Sequence, residues 1–300
     1  MKAVQFAEYG GPEVLKVVEV DEPHAGPGQV RVAVRAAGVN GIDWKIRAGY
    51  LSKMRPIPLP AGTGIDAAGI VDEVGDGVTG VTVGDAVFGS GEATYAEYAT
   101  LSHWAAMPAG LSFEAAAGAP IPVETAIRIL DQLNVQSGQT LVVNGAAGGV
   151  GTATVQIARQ RDIEVIGIAG RSSQDYLRSF GVVPTTYGEG LADRVRALAP
   201  HGVDAALDIA GSGVIPELIE LTGDPARVLS IGDLGATEHG AQISMAANDR
   251  AAAYAEAARL FADGALRIPV AKAFRLDEAA DAQRASAAGH VAGRTVITVA

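Results

Sequence analysis

The chain has no cysteine among its 300 residues. That excludes disulfides and zinc sites built on thiolates. Histidine is sparse: His24, His103, His201, His239 and His290 lie far apart, without the spacing of metal ligands. They read as surface or hydrogen-bonded histidines. Positive charge is also short, with 23 Lys and Arg against 34 Asp and Glu and a net charge of −11. A nucleic-acid surface needs a basic patch, so that partner is excluded. No block of like charge occurs, and the acidity reads as solubility. No apolar run is long enough to span a membrane, and residues 1–6 begin as a strand rather than a signal peptide. No Ser/His/Asp order or spaced carboxylate pair makes a case for a hydrolase. The expectation is a soluble cytoplasmic protein.

What the chain does have is a core: 48% of it is hydrophobic, enough for about two domains. Its organising stretch is the apolar run Leu141-Val142-Val143, which breaks at Asn144 into Gly145-Ala146-Ala147-Gly148-Gly149-Val150-Gly151. The run suits a strand buried on both faces of a parallel sheet. Val150, Ala153 and Ile157 then form one stripe of a helix ending near Gln160. A strand, a glycine turn and a helix N-terminus make a pyrophosphate site, through free N–H groups and the positive end of the helix dipole. In this reading Gly148 lets the backbone approach the phosphates, and Gly151 lets the helix pack closely on the strand. Ala146 stands where the first glycine of such a fingerprint usually stands. A second apolar strand, residues 164–169, completes a βαβ unit.

Residues 1–118 are broken by glycine and proline into short runs. Residues 30–36 alternate with period two, and residues 68–75 and 85–89 read as strands as well, giving a barrel-type lobe. From Ser112 helices and strands alternate to about residue 265. Residues 205–210 and 227–232 supply further buried strands, and Ile231 and Gly232 close the second at the cofactor end. Residues 250–266 form a long alanine-rich helix. A helix near 277–288 and a strand at 294–299 end the chain, and that strand is expected to return to the first lobe.

This order, with Gly38-Val39-Asn40-Gly41-Ile42-Asp43-Trp44-Lys45, Gly64-Ile65-Asp66-Ala67-Ala68-Gly69, Tyr95-Ala96-Glu97-Tyr98 and the glycine loop in sequence, resembles the medium-chain dehydrogenase/reductase superfamily, in its zinc-free quinone oxidoreductase branch. The resemblance covers nearly the whole chain. It implies an α/β protein: a GroES-like β-barrel catalytic domain at residues 1–118 and 267–300, and a Rossmann domain at 119–266. Substrate would bind between the two lobes, and a homodimer would form through Rossmann edge strands. The zinc-dependent branch holds its metal with a cysteine and a histidine. Here Asn40 and Ile65 stand at those positions, and neither can replace them in a tetrahedral site.

An NAD-specific site normally carries an acid at the end of the second strand. This chain reads Ala169-Gly170-Arg171-Ser172-Ser173 there. Arg171 offers planar donors suited to a phosphate, and the serines add hydroxyls. Tyr187 stands where the family often places a tyrosine near the adenosine. NADPH is the expected cofactor.

Without zinc, nothing strong polarises an alcohol. Reduction of an electrophile activated by conjugation is expected, either a quinone or an α,β-unsaturated carbonyl. Asn40 is the first candidate beside the nicotinamide or substrate, because its amide can bond a carboxamide or carbonyl; it could equally fix its own loop. Thr125 resembles the family's threonine at the nicotinamide, or else bonds back to its own helix. Tyr50 and Lys45 are candidate proton donors or carbonyl hydrogen-bonders, and Lys45 departs from the aromatic residues common in that loop. Asp43 and Asp66 read as loop-fixing carboxylates, Asp208 as a structural residue at a strand end, and Trp44 as core or as a substrate contact. An enoyl-thioester reductase and a non-catalytic NADPH sensor remain the alternatives.

Overall fold

The computed structural model describes residues 1–300 apart from Arg55, Ala246, Asn248, His290 and Ala300, so one of the five histidines lies outside the described residues. The chain begins with β1 (Lys2–Phe6), β2 (Lys16–Glu19), β3 (Val30–Gly38), α1 (Gly41–Arg47), β4 (Ala61–Gly62), β5 (Asp66–Val74), β6 (Ala86–Gly91), β7 (Tyr98–Ala106) and α2 (Phe113–Ala117). It continues through α3 (Pro120–Leu133), β8 (Thr140–Asn144), α4 (Gly149–Gln160), β9 (Glu164–Ile168), α5 (Gln174–Arg178), β10 (Val183–Thr185) and α6 (Leu191–Leu198). There follow β11 (Ala205–Asp208), α7 (Ile215–Thr222), β12 (Val228–Ser230), β13 (Gln242–Ile243), α8 (Arg250–Ala262), β14 (Val270–Arg275), α9 (Ala279–Ala288) and β15 (Arg294–Thr298). These elements form two compact units, residues 1–121 with 250–300, and residues 122–249.

In the first unit Val30, Val32 and Val34 are buried along β3 while Arg35 is exposed, the alternation of a strand with one face in a core. β3 pairs antiparallel with both β5 and β7, and β6 pairs with β5 and β7. The pairing β3–β5–β6–β7–β3 is therefore a closed ring, which leaves no exposed edge within it. β15 joins β3 antiparallel and β14 joins β15 parallel, so the last strand does return to the first lobe. The closed sheet is filled by Val30, Val32, Val71, Val87, Leu101 and Ile297.

The expected boundaries at 118/119 and 266/267 differ from the observed ones at 121/122 and 249/250. The larger shift concerns α8, which packs with the barrel unit. Its Tyr254 lies 6.4 Å from the Phe88 ring of β6, and Phe261 meets the same ring edge-on at 6.1 Å. An alanine-rich helix has too weak an apolar stripe to declare its partner, so two aromatic contacts decide where it sits.

In the second unit all six strands run parallel in the order β10-β9-β8-β11-β12-β13. Chain direction across the sheet reverses between β8 and β11, the position at which doubly wound sheets bind ligands beyond their strand ends. Leu141, Val142, Val143, Ala206 and Leu207 are fully buried, as strands covered on both faces require. Among the described residues no helix is long and apolar enough to cross a membrane.

Candidate functional site

In the second unit the chain leaves β8 at Asn144 and turns at Gly145, whose φ of +82° is the left-handed region that glycine tolerates. The turn glycine is thus Gly145 itself, one residue before the alanine that replaces the fingerprint's first glycine. The N–H groups of Gly145 and Ala146 both donate to the Ile168 carbonyl at the end of β9. Gly151 is required by packing: a Cβ there would lie 2.2 Å from the Gly145 carbonyl oxygen. A Cβ on Gly148 would meet nothing closer than 3.6 Å, so that glycine is free of any such internal demand. Among the described residues the N–H groups of Gly149, Val150 and Gly151 have no backbone or side-chain acceptor, as first-turn donors of a helix do not. Three unsatisfied donors at a twelve-residue helix fit a pyrophosphate.

At the end of β9 Gly170 leads into a single helical turn over Arg171–Ser173. Gln174 shapes this corner by donating to the carbonyls of Ala169, Gly170 and Thr185 at 3.1, 3.1 and 3.2 Å. Arg171 and Ser172 are exposed, and among the described residues the Arg171 guanidinium has no partner. Tyr187 is 54% exposed and stands beside Gly170, its hydroxyl 3.7 Å from where a Cβ on that glycine would be. The Tyr187 turn is held by Arg194, whose Nη2 donates to the carbonyls of Thr186 at 2.9 Å and Gly188 at 3.2 Å, and whose Nη1 donates to Glu189 at 2.6 Å. Arg171, Ser172 and Tyr187 thus gather round one corner, with no carboxylate paired to the arginine.

A third group sits where the sheet reverses direction. Asn144 Nδ2 donates to Asp208 at 2.8 Å and to Ser212 at 3.0 Å; Ser230 Oγ donates to Asp208 at 2.9 Å and accepts from the N–H groups of Gly232 and Asp233. Asp208 also accepts from the Gly211 N–H, so it fixes the loops after β11 and β12. Gly211 and Gly232 touch backbone to backbone; a Cβ on Gly232 would lie 2.5 Å from the Gly211 nitrogen. This contact places Ile231 and Gly232 at the end of β12. Thr125, on α3, is buried with its Oγ1 3.4 Å from Glu124 and from Arg128. Glu124 and Arg128 pair at 2.9 Å, and Arg128 also donates to Ser244. The Thr125 hydroxyl therefore faces charged neighbours rather than its own helix backbone.

The first unit holds the other candidates. Asn40 begins α1 and is 4% exposed. Its backbone N–H donates to Asp43 Oδ2 at 2.8 Å, its Nδ2 to Asp66 Oδ2 at 2.9 Å, and its Oδ1 accepts from Arg294 Nη2 at 3.0 Å. Tyr95 donates its hydroxyl to Asp43 at 2.8 Å, and the Ile121 N–H donates to Asp66. Asp43 and Asp66 do fix loops, and they do so from inside the protein. Burial pushes their carboxyls up to about 6 and about 7, against the pull of Arg294 and their hydrogen-bond donors. The same burial lowers the Arg294 guanidinium and raises the Tyr95 phenol. Desolvation thus outweighs mutual attraction throughout the cluster.

Lys45 and Tyr50 are not part of this cluster. Both rest on Trp44, the Lys45 ammonium 5.7 Å from its ring and the Tyr50 ring edge-on at 5.8 Å. Tyr50 is 69% exposed. Arg294, Gln174 and Arg194 were not among the residues singled out from the sequence. Of these only Arg294 left a signal, a cation at the start of an otherwise uncharged closing strand, which burial obliges to find a partner.

Residues 26–112 match the family described as the alcohol dehydrogenase GroES-like domain, and residues 185–297 the one described as zinc-binding dehydrogenase. The quinone oxidoreductase of Rattus norvegicus is 33% identical over 256 residues, covering 82% of this chain and 77% of its own. The solved quinone oxidoreductase of Coxiella burnetii superposes with a TM-score of 0.88 at 29% identity, covering 100% of this chain and 99% of its own. A mycobacterial protein solved in complex with NADPH has a TM-score of 0.86 at 27% identity, covering 99% of this chain and 100% of its own.

Proposed function

The chain belongs to the quinone oxidoreductase family of medium-chain dehydrogenases/reductases and is an oxidoreductase, and from that membership we propose a zinc-independent reductase that uses NADPH to reduce a quinone or an α,β-unsaturated carbonyl. The observation that carries the cofactor choice is Arg171, a cation with no partner among the described residues, at the end of β9 where an NAD site would hold an acid. It offers a fork of donors to a 2′-phosphate, with the Ser172 hydroxyl beside it.

Bound NADPH would supply a hydride, and all else falls to the chain. The N–H groups of Gly149, Val150 and Gly151, with Gly145, Ala146, Ala147 and Gly148 forming the turn, would hold the pyrophosphate. Gly170, Arg171, Ser172 and Tyr187 would hold the adenosine end, and Ile231, Gly232 and Thr125 would be further cofactor contacts of the same unit. Asn40 would hydrogen-bond a nicotinamide or substrate carbonyl. A quinone or enone that accepts a hydride needs one proton to finish, and that proton comes from Tyr50, Lys45 or solvent. Zinc independence rests on donor chemistry: Asn40 and Ile65 occupy the ligand positions, and the Asn40 amide is already bonded to Asp66 and Arg294.

The reading is tested by following NADPH oxidation, with NADH in parallel, against 1,4-benzoquinone, a 2-alkenal, an enone and a crotonyl thioester. Turnover of a quinone or conjugated carbonyl is expected, preferring NADPH and unchanged after dialysis against a chelator. Tight NADPH binding without turnover on any acceptor would overturn the enzymatic assignment; loss of activity to the chelator would overturn zinc independence.

A further inference from the structure

Asn40 is held at both ends of its amide by charges from distant parts of the chain. Asp66 is 26 residues away and Arg294 is 254 residues away, yet both meet it inside the barrel unit. The identity of these partners leaves the amide no choice of orientation. A guanidinium can only donate, so Oδ1 must lie on Arg294, and that leaves Nδ2 to Asp66 whether or not its carboxyl holds a proton. A flipped amide would set oxygen against oxygen and N–H against N–H in a buried site, where unmade hydrogen bonds of charged groups are most expensive. An amide nitrogen has two hydrogens, and only one is committed here. Asp43 fastens the backbone of the same residue, and Tyr95 fastens Asp43.

We propose that Asp66 and Arg294 are positioning residues that lock the Asn40 amide so that its second N–H is presented, already oriented, to the carbonyl of the nicotinamide or substrate. The inference rests on the reductase reading above and adds to it how the donor is prepared. An amide that is locked before the ligand arrives loses no orientational freedom when the reaction begins. In this arrangement the two charges do their work through Asn40 and touch neither cofactor nor substrate.

The decisive experiment exchanges the two side chains. Asn40→Asp alone puts a second carboxylate against Asp66, and Asp66→Asn alone leaves Arg294 without its nearest carboxylate; both variants should lose thermal stability. The double variant Asn40→Asp/Asp66→Asn restores one carboxylate and one amide to Arg294, with donor and acceptor merely transposed. It should recover the melting temperature and cofactor binding while kcat stays on the order of tenfold or more below wild type, because the side chain at position 40 no longer carries an N–H. Recovery of both stability and kcat would overturn the proposal and reduce the cluster to a structural one. Failure of the exchange to recover stability would overturn it too, since the reciprocal pairing would then not be what holds the amide. An inactive wild type, seen before any variant is compared, is instead a failure of the reductase reading, and the stability half of the exchange is read without turnover.

Discussion

Arg171 and Asp66 show how differently two charged side chains are used. Arg171 is exposed and has no partner among the described residues, so its removal should cost little stability and act on the ligand alone. Arg171→Ala is expected to weaken NADPH binding about 10- to 100-fold, the loss of a charge-assisted contact to phosphate, while NADH binding stays nearly unchanged. Titration calorimetry with both nucleotides checks this; equal losses would mean that Arg171 does not read the 2′-phosphate. Asp66 is wholly buried, and its carboxyl is pushed up to about 7 from an unfolded value of about 4. Between those values the folded chain holds a proton that the unfolded chain has released, so stability falls as pH rises through the window. Asp43, raised to about 6, acts in the same direction. The melting temperature should therefore drop between pH 5 and pH 8, by an amount corresponding to about 1 kcal/mol or more, and the slope should be shallower in Asp66→Asn. Identical slopes would show that Asp66 does not titrate there. The roles of these two residues were unequally visible in sequence. Arg171 follows a strand and a glycine, a local pattern, whereas Asp66 meets Arg294 of β15, more than two hundred residues away.

The elements were legible wherever one periodicity dominated. β3, β8, β9 and α4 lie where alternation, apolar runs and the 3.6-residue stripe put them, because each has a face that can only be buried one way. β14 was missed: its residues are mostly exposed, so no hydrophobic pattern marks it, and it forms by pairing with β15. α8 was recognised as a helix, but its allegiance was not legible, since alanine packs acceptably on almost anything. Its anchor is the fully buried Tyr254 against Phe88. Tyr254→Ala should destabilise the barrel unit by roughly 3–5 kcal/mol, and Tyr254→Phe by much less, read as the denaturant midpoint. A small effect of the alanine variant would mean that α8 is held by something other than this ring.

At the scale of the whole molecule, the chain assembles two units by different routes. The parallel sheet is built from consecutive βα segments, so its main strands and glycine loop could be read along the chain. The barrel unit is built from the two ends of the chain, and its candidate chemistry follows that topology. The amino-terminal part supplies Asn40, Asp43, Asp66 and Tyr95, and the carboxy-terminal strand supplies Arg294. By itself the sequence determined the α/β class, the glycine turn after β8, the acid-free strand end and the thiolate-free position 40, because each depends on residues that are neighbours along the chain. Only the tertiary structure decided that Arg294 and Asp66 grip opposite ends of the Asn40 amide, that Arg194 holds the Tyr187 turn and that α8 joins the barrel. Those are pairings between separated segments, and burial selects them only once the sheets have closed.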